Sequence, residues 1–143
     1  MKFGCLFGFT ILFFIVLFQS IEKTTAYVAR NITVDRAIDT MLMKIQSAVR
    51  KRNMTEFEKY FSAKFDSESW FDRYYSELSE RQLGSFVLRR FGHVDARGKD
   101  FKFKFSESHD VPGHLLLRSF IAWTKRSFTN AFAIQTIRYY GEY

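Results

Sequence analysis

Asp95-Ala96-Arg97-Gly98-Lys99-Asp100-Phe101-Lys102-Phe103-Lys104-Phe105 is the stretch whose reading decides the fold. Asp95 to Gly98 has turn composition, a Gly beside a polar run. Phenylalanine and lysine then alternate from Phe101 to Phe105. A period of two sends successive side chains to opposite faces of a strand, so one face is aromatic and the other basic. Downstream, Asp110 to Gly113 reads as a second turn and holds the single Pro of the chain. His114–Thr124 and Phe128–Tyr140 read as two further strands, joined tightly around Lys125 to Ser127. Short connections favour an antiparallel meander, because parallel pairing needs long crossovers.

Upstream the period is helical. Val34, Ala37, Ile38, Met41, Leu42, Ile45, Ala48 and Val49 form a 3.6-residue stripe. Thr33 suits the N-cap, Asp35 the positive end of the helix, and Arg50-Lys51-Arg52 its negative end. Thr55-Glu56-Phe57-Glu58 has capping-box form and opens a short helix burying Phe57, Tyr60 and Phe61. Ser62 to Ser69 is ambiguous between a short strand and a bend. Trp70, Phe71, Tyr74, Tyr75 and Leu78 again keep helical spacing. Ser79 to Gln82 is a second capping box, and Leu83, Phe86, Val87 and Phe91 continue as a helical stripe that Gly92 would end in a left-handed turn. Helices first and strands last imply an α+β fold, with the helices covering one sheet face.

The first 26 residues stand apart. Lys2 precedes an apolar run from Cys5 to Phe18, relieved only by Gly8 and Thr10, and Thr24-Thr25-Ala26 follows. This order is that of a secretory signal peptide cut after Ala26, leaving a single domain over 27–143. The run falls short of the roughly 20 apolar residues that span a bilayer, so no stable membrane span is expected after cleavage. Cys5, the one cysteine, leaves with the leader; thiol catalysis and cysteine-based zinc sites leave with it. Two cations and one anion also go, and the net charge falls from +7 to +6. Asn31-Ile32-Thr33 and Asn53-Met54-Thr55 are glycosylation sequons, each also suited to capping a helix.

The element order, with helices over Thr33–Arg52, Thr55–Phe61 and Ser79–Phe91 and strands led by Phe101, Leu115 and Phe128, resembles the nuclear transport factor 2-like fold. It is particularly similar to the short secreted domains of this type that are numerous in nematodes. The resemblance covers residues 33–140 and rests on element order and length, without a diagnostic motif. It implies a cone, in which a curved antiparallel sheet wraps around N-terminal helices and leaves a pocket at the open end. Relatives use that pocket to bind a small molecule or partner, and some are isomerases or dehydratases.

Chemistry is sparse in the sequence. A catalytic cavity of that kind needs a carboxylate or His base beside a Tyr or acid donor, inside apolar walls that tune the base and strengthen the donor. Asp66, Asp72, Tyr74, Tyr75, His93, His109, Asp110 and His114 are the candidates, and they form no recognisable catalytic set. His109 and His114 flank a turn and should face solvent. His109, Asp110 and His114 could supply metal ligands only if one turn placed all three. No GxSxG, phosphate-binding Gly loop or HExxH occurs, so no catalytic, cofactor-binding or metal-ligating residue is assigned.

Four basic clusters stand out: Arg50-Lys51-Arg52, Arg89-Arg90, Lys102 with Lys104, and Lys125-Arg126. They either solvate helix ends, a strand face and a hairpin, or attract anionic glycans outside the cell. A secreted chain without a recognition motif is not expected to bind nucleic acid. Phe101, Phe103, Phe105, Phe120, Trp123, Phe128 and Phe132 either line a ligand pocket or pack as core. The expected function is a secreted, non-enzymatic module binding a small molecule or protein. The alternatives are a small isomerase or dehydratase, for which a Tyr beside an Asp or His in the cavity would speak, and a polyanion-binding protein, whose four basic clusters should share one face.

Overall fold

The computed structural model describes residues 33–126 and 131–142. The leader over 1–26 with its cleavage point, Asn31, and Phe128 in the last connection lie outside the described residues. The chain divides into two units, Met1–Val34 and Asp35–Tyr143; the second is described below.

Helix α1 covers 33–50. Ile38, Met41, Leu42, Ile45, Ala48 and Val49 are buried, as the 3.6-residue stripe requires. Thr33 is itself helical rather than a flanking cap. At the other end Arg52 takes the left-handed conformation, with φ 51°. Asn53 N donates to Ala48 O (2.9 Å) and Arg52 N to Val49 O (3.0 Å). This pairing is a Schellman motif, with Arg52 where Gly is usual. The cation offsets the strain: Arg52 donates to the carbonyls of Ser76 (2.6 Å) and Leu78.

Helix α2 is Met54–Glu58, and its N-cap is Asn53, whose Oδ1 accepts from Glu56 N at 2.9 Å. The helix thus begins before the Thr55 capping box that the sequence suggested. One residue serves two helices, ending α1 and opening α2, which leaves Thr55 no terminal amide to cap. Ser62 to Asp66 forms a turn and bend, and Ser67 to Ser69 already belong to the next helix. Phe61 makes an isolated parallel bridge to Ile134, with Ser62 N donating to Ile134 O and Ile134 N to Tyr60 O.

Helix α3 is Ser67–Tyr74, capped by Asp66. Helix α4 is Glu80–Ser85, opened by the expected Ser79–Gln82 capping box. It stops there, and Phe86 is already extended (φ −63°, ψ 123°). The chain continues as strand β1, Val87–Arg97. The helix expected over Ser79–Phe91 is therefore half strand. The residues that filled its helical stripe, Phe86, Val87 and Phe91, satisfy a strand equally well, and β-branched Val87 favours one. Gly92 does adopt φ 71°, but within β1, where the register with the next strand shifts between Phe91 and Asp95. It marks a bulge, not a helix end.

Strands β2 (Asp100–Val111), β3 (His114–Arg126) and β4 (Phe132–Glu142) complete an antiparallel sheet of order β1-β2-β3-β4. The two described turns are tight: Gly98-Lys99, with Gly98 at φ 65°, and Pro112-Gly113, with Gly113 at φ 89°. Pro followed by Gly at positive φ is the residue pattern of a type II turn. Phe101, Phe103, Phe105, Phe120, Ala122 and Ile134 are buried on the inner face. The helices lie against that face. Trp70 meets Phe120 at 5.8 Å, and Phe57 meets Phe71 at 5.1 Å and Tyr75 at 5.8 Å. Arg90 ties β1 to α1 through paired bonds to Asp39 (2.7 and 3.1 Å) and a contact to Asp35 (3.6 Å). The Asp39 bonds hold the Arg90 pKa above its ordinary value.

Candidate functional site

The inward row of β2 does not stop at its aromatics. Phe101, Phe103 and Phe105 are followed, two residues apart, by Glu107 and His109, which are 1% and 2% exposed. A carboxylate this deep is costly unless bonded. Its partners come from two elements. Tyr75, the residue that ends α3, donates from Oη to Glu107 Oε2 at 2.9 Å. Arg118, opposite Glu107 in the β2–β3 register, reaches Oε1 at 3.5 Å. Trp70 Nε1 lies 3.4 Å from the Tyr75 hydroxyl and donates to it, and the Arg118 guanidinium stands over the Tyr74 ring at 5.6 Å. Burial pushes the Tyr75 pKa well above its ordinary value, and the Glu107 charge adds to the effect.

Trp70 and Tyr74, which touch this polar group, also line a recess of about 250 Å³ together with Phe65, Asp66, Ser69 and Arg73. Its shape follows from α3. Asp66 Oδ1 accepts from Ser69 N at 3.0 Å and fixes the first turn; that bond holds the Asp66 carboxyl below its ordinary pKa. Trp70 and Tyr74, one helical turn apart, then pack at 4.5 Å with their ring planes tilted by 36°, and Phe65 closes on Trp70 at 5.7 Å. The wall is aromatic, with one cation and one anion on it. Such a surface takes a flat, partly polar group by stacking and charge pairing.

The other candidates are scattered. Asp72 is exposed, with its carbonyl accepting from Ser76 Oγ. His93 and His114 are exposed. Asp110 is half-buried, 3.9 Å from Arg81. His109, expected in solvent, is in the core: β2 extends to Val111, so the alternation begun at Phe101 carries His109 inward. Its ring stacks 6.5 Å from Phe86, and Nε2 has no hydrogen-bond partner among the described residues. The β2–β3 register sets His109 against Leu116 and His114 against Val111, which separates the two rings. Among the described residues no three His, Cys, Asp or Glu are grouped as metal ligands. Asn53, the second sequon, is exposed at its cap position.

Glu107 and Arg118 were missed as candidates. The signal was present: extending Phe101-x-Phe103-x-Phe105 by two more steps lands on Glu107 and His109. The basic clusters do not share one face. Arg50 donates to Phe86 O and Arg52 to Ser76 and Leu78, and Arg90 pairs with Asp39, whereas Lys102 and Lys104 stand on the opposite side of the sheet. No helix among the described residues is long and apolar enough to cross a membrane. No protein-family model and no curated protein matches the sequence.

Proposed function

We propose that residues 27–143 form a secreted, non-enzymatic binding module of the nuclear transport factor 2-like type, with the α3 recess as its contact site. The observation carrying this reading is how Glu107 is spent. One carboxylate oxygen takes the Tyr75 hydroxyl and the other faces Arg118, and both partners hold the Trp70–Tyr74 wall in place. Around it Phe101, Phe103, Phe105 and Phe120 pack the inward face together with Ala122, Ile134 and the buried His109. A packed aromatic interior supports recognition at the surface over chemistry inside. The secretory part of the reading is supported by the leader-like order of residues 1–26 alone.

Small aromatic and amide fragments, screened by ligand-observed NMR, should bind with Trp70 and lose binding in Trp70→Ala. Trp123 provides an internal fluorescence control for folding in that variant. Retention of every fragment by Trp70→Ala would rule the recess out. The isomerase or dehydratase reading is favoured by one fact, a Tyr hydroxyl 2.9 Å from a carboxylate in apolar surroundings. It predicts a bound enolate analogue whose affinity collapses in Tyr75→Phe.

A further inference from the structure

The side of the sheet facing away from the helices carries its own pattern, and it is independent of the α3 recess. The strand registers place Phe91, Lys104, Ile121 and Arg138 in one row across β1 to β4, and Asp95, Lys102, Trp123 and Thr136 in the next. Three cations on this face lie over aromatic rings. Lys102 Nζ is 5.6 Å from the centre of the Trp123 ring, the Arg138 guanidinium is 5.5 Å from the same ring, and Lys104 Nζ is 5.3 Å from Tyr140. Each such contact is weakly attractive by itself at an exposed site. Its larger consequence is order. A free Lys or Arg side chain loses rotamer entropy on binding, and a ring beneath it removes part of that loss beforehand. Arg89, opposite Ser106, continues the positive face beyond Lys104.

We infer that this face is a docking surface for an extended sulfated polysaccharide, held by Lys102, Lys104 and Arg138 as fixed point charges. Rows along a strand repeat at about 6.7 Å and neighbouring strands lie about 4.8 Å apart, so the three cations form a flat array able to meet successive anionic groups of one chain. Asp95, Arg97 and Asp100 border a recess of about 320 Å³ beside Lys102 and Trp123, and the two carboxylates there offset the positive field at one end. A sulfated glycan is favoured over a single-stranded nucleic acid because the Trp123 and Tyr140 rings already carry cations, whereas base stacking needs open ring faces. An anionic membrane is disfavoured because Trp123 is half-buried beneath Lys102 and Arg138, and Phe91, the exposed apolar side chain of the neighbouring row, stands two strands away on β1.

The test uses heparin, de-sulfated heparin, a single-stranded oligonucleotide and phosphatidylserine vesicles as probes, with affinity measured across a salt series. Heparin should bind, and de-sulfated heparin should not. The triple variant Lys102→Gln, Lys104→Gln, Arg138→Gln should weaken heparin binding by at least about tenfold. Its plot of log affinity against log salt should be shallower by roughly 2–3, the counterions no longer released. The charge-matched triple Lys51→Gln, Lys59→Gln, Lys64→Gln removes three exposed cations elsewhere and should bind within about twofold of the parent. Equal losses in both triples would reduce the effect to net charge and overturn the inference. So would absent heparin binding, or tighter binding to oligonucleotide or vesicles with the same residue dependence. A negative result here leaves fragment binding at Trp70 untouched, so the two sites fail separately.

Discussion

Glu107 and His109 are neighbours on one strand face, equally buried, and supplied with partners very differently. Glu107 is engaged on both oxygens, so its depth is compensated. Among the described residues His109 Nε2 is buried without a hydrogen bond, an omission that costs about 1–3 kcal/mol. His109→Leu should therefore keep or raise stability by up to about 1 kcal/mol in urea unfolding, provided that Leu fills the space beside Phe86. Tyr75 supplies a pH signature. Its folded-state pKa is raised above the unfolded value of about 10, so its contribution is complete below that pH. The contribution then falls as pH rises toward the folded value. Urea midpoints should drop more steeply above about pH 10 in the parent than in Tyr75→Phe. Identical alkaline slopes would place the phenol in water.

Much of the fold was legible because two rhythms in the sequence are strong. The α1 stripe and the Phe101–Phe105 alternation are each satisfied by one kind of element only. Ser79 to Phe91 was not of that kind. Its apolar positions fit a helix continued past Ser85 and a strand begun at Val87, and the end of α4 is set by pairing with β2, a long-range contact that no local pattern contains. The same blindness hid the site. Tyr75 was a candidate from its residue type, but its partner lies 32 positions away, and Arg118 qualifies only through the β2–β3 register. Two elements can be probed directly. Ser79→Ala removes the oxygen that caps Gln82 N and should cost about 1 kcal/mol in thermal or urea unfolding. Gly92→Ala meets open space but a backbone at φ 71°, so its expected cost of about 1–2 kcal/mol comes from conformation alone. If Gly92→Ala is neutral, the β1 bulge does not hold that geometry in solution.

At the scale of the molecule, one sheet separates two surfaces. Inward, aromatic and aliphatic side chains form the core of a domain with no cysteine beyond Cys5. Outward, cations and rings remain in reach of solvent. Protein collected from the medium of eukaryotic cells should begin at Tyr27 and carry glycan on Asn53, read by N-terminal sequencing and by a mass shift on deglycosylation; material beginning at Met1 would contradict secretion. The molecule is held on the inward side by a row of β2 residues that turns from aromatic to charged without leaving the core. Urea unfolding of the parent, Tyr75→Phe, Glu107→Leu and the double variant tests that row most directly. Each single change should cost about 1–3 kcal/mol by stranding a buried polar partner, and the double should fall short of their sum by about 1–3 kcal/mol. Costs that add to within about 0.3 kcal/mol would mean that Tyr75 and Glu107 do not meet.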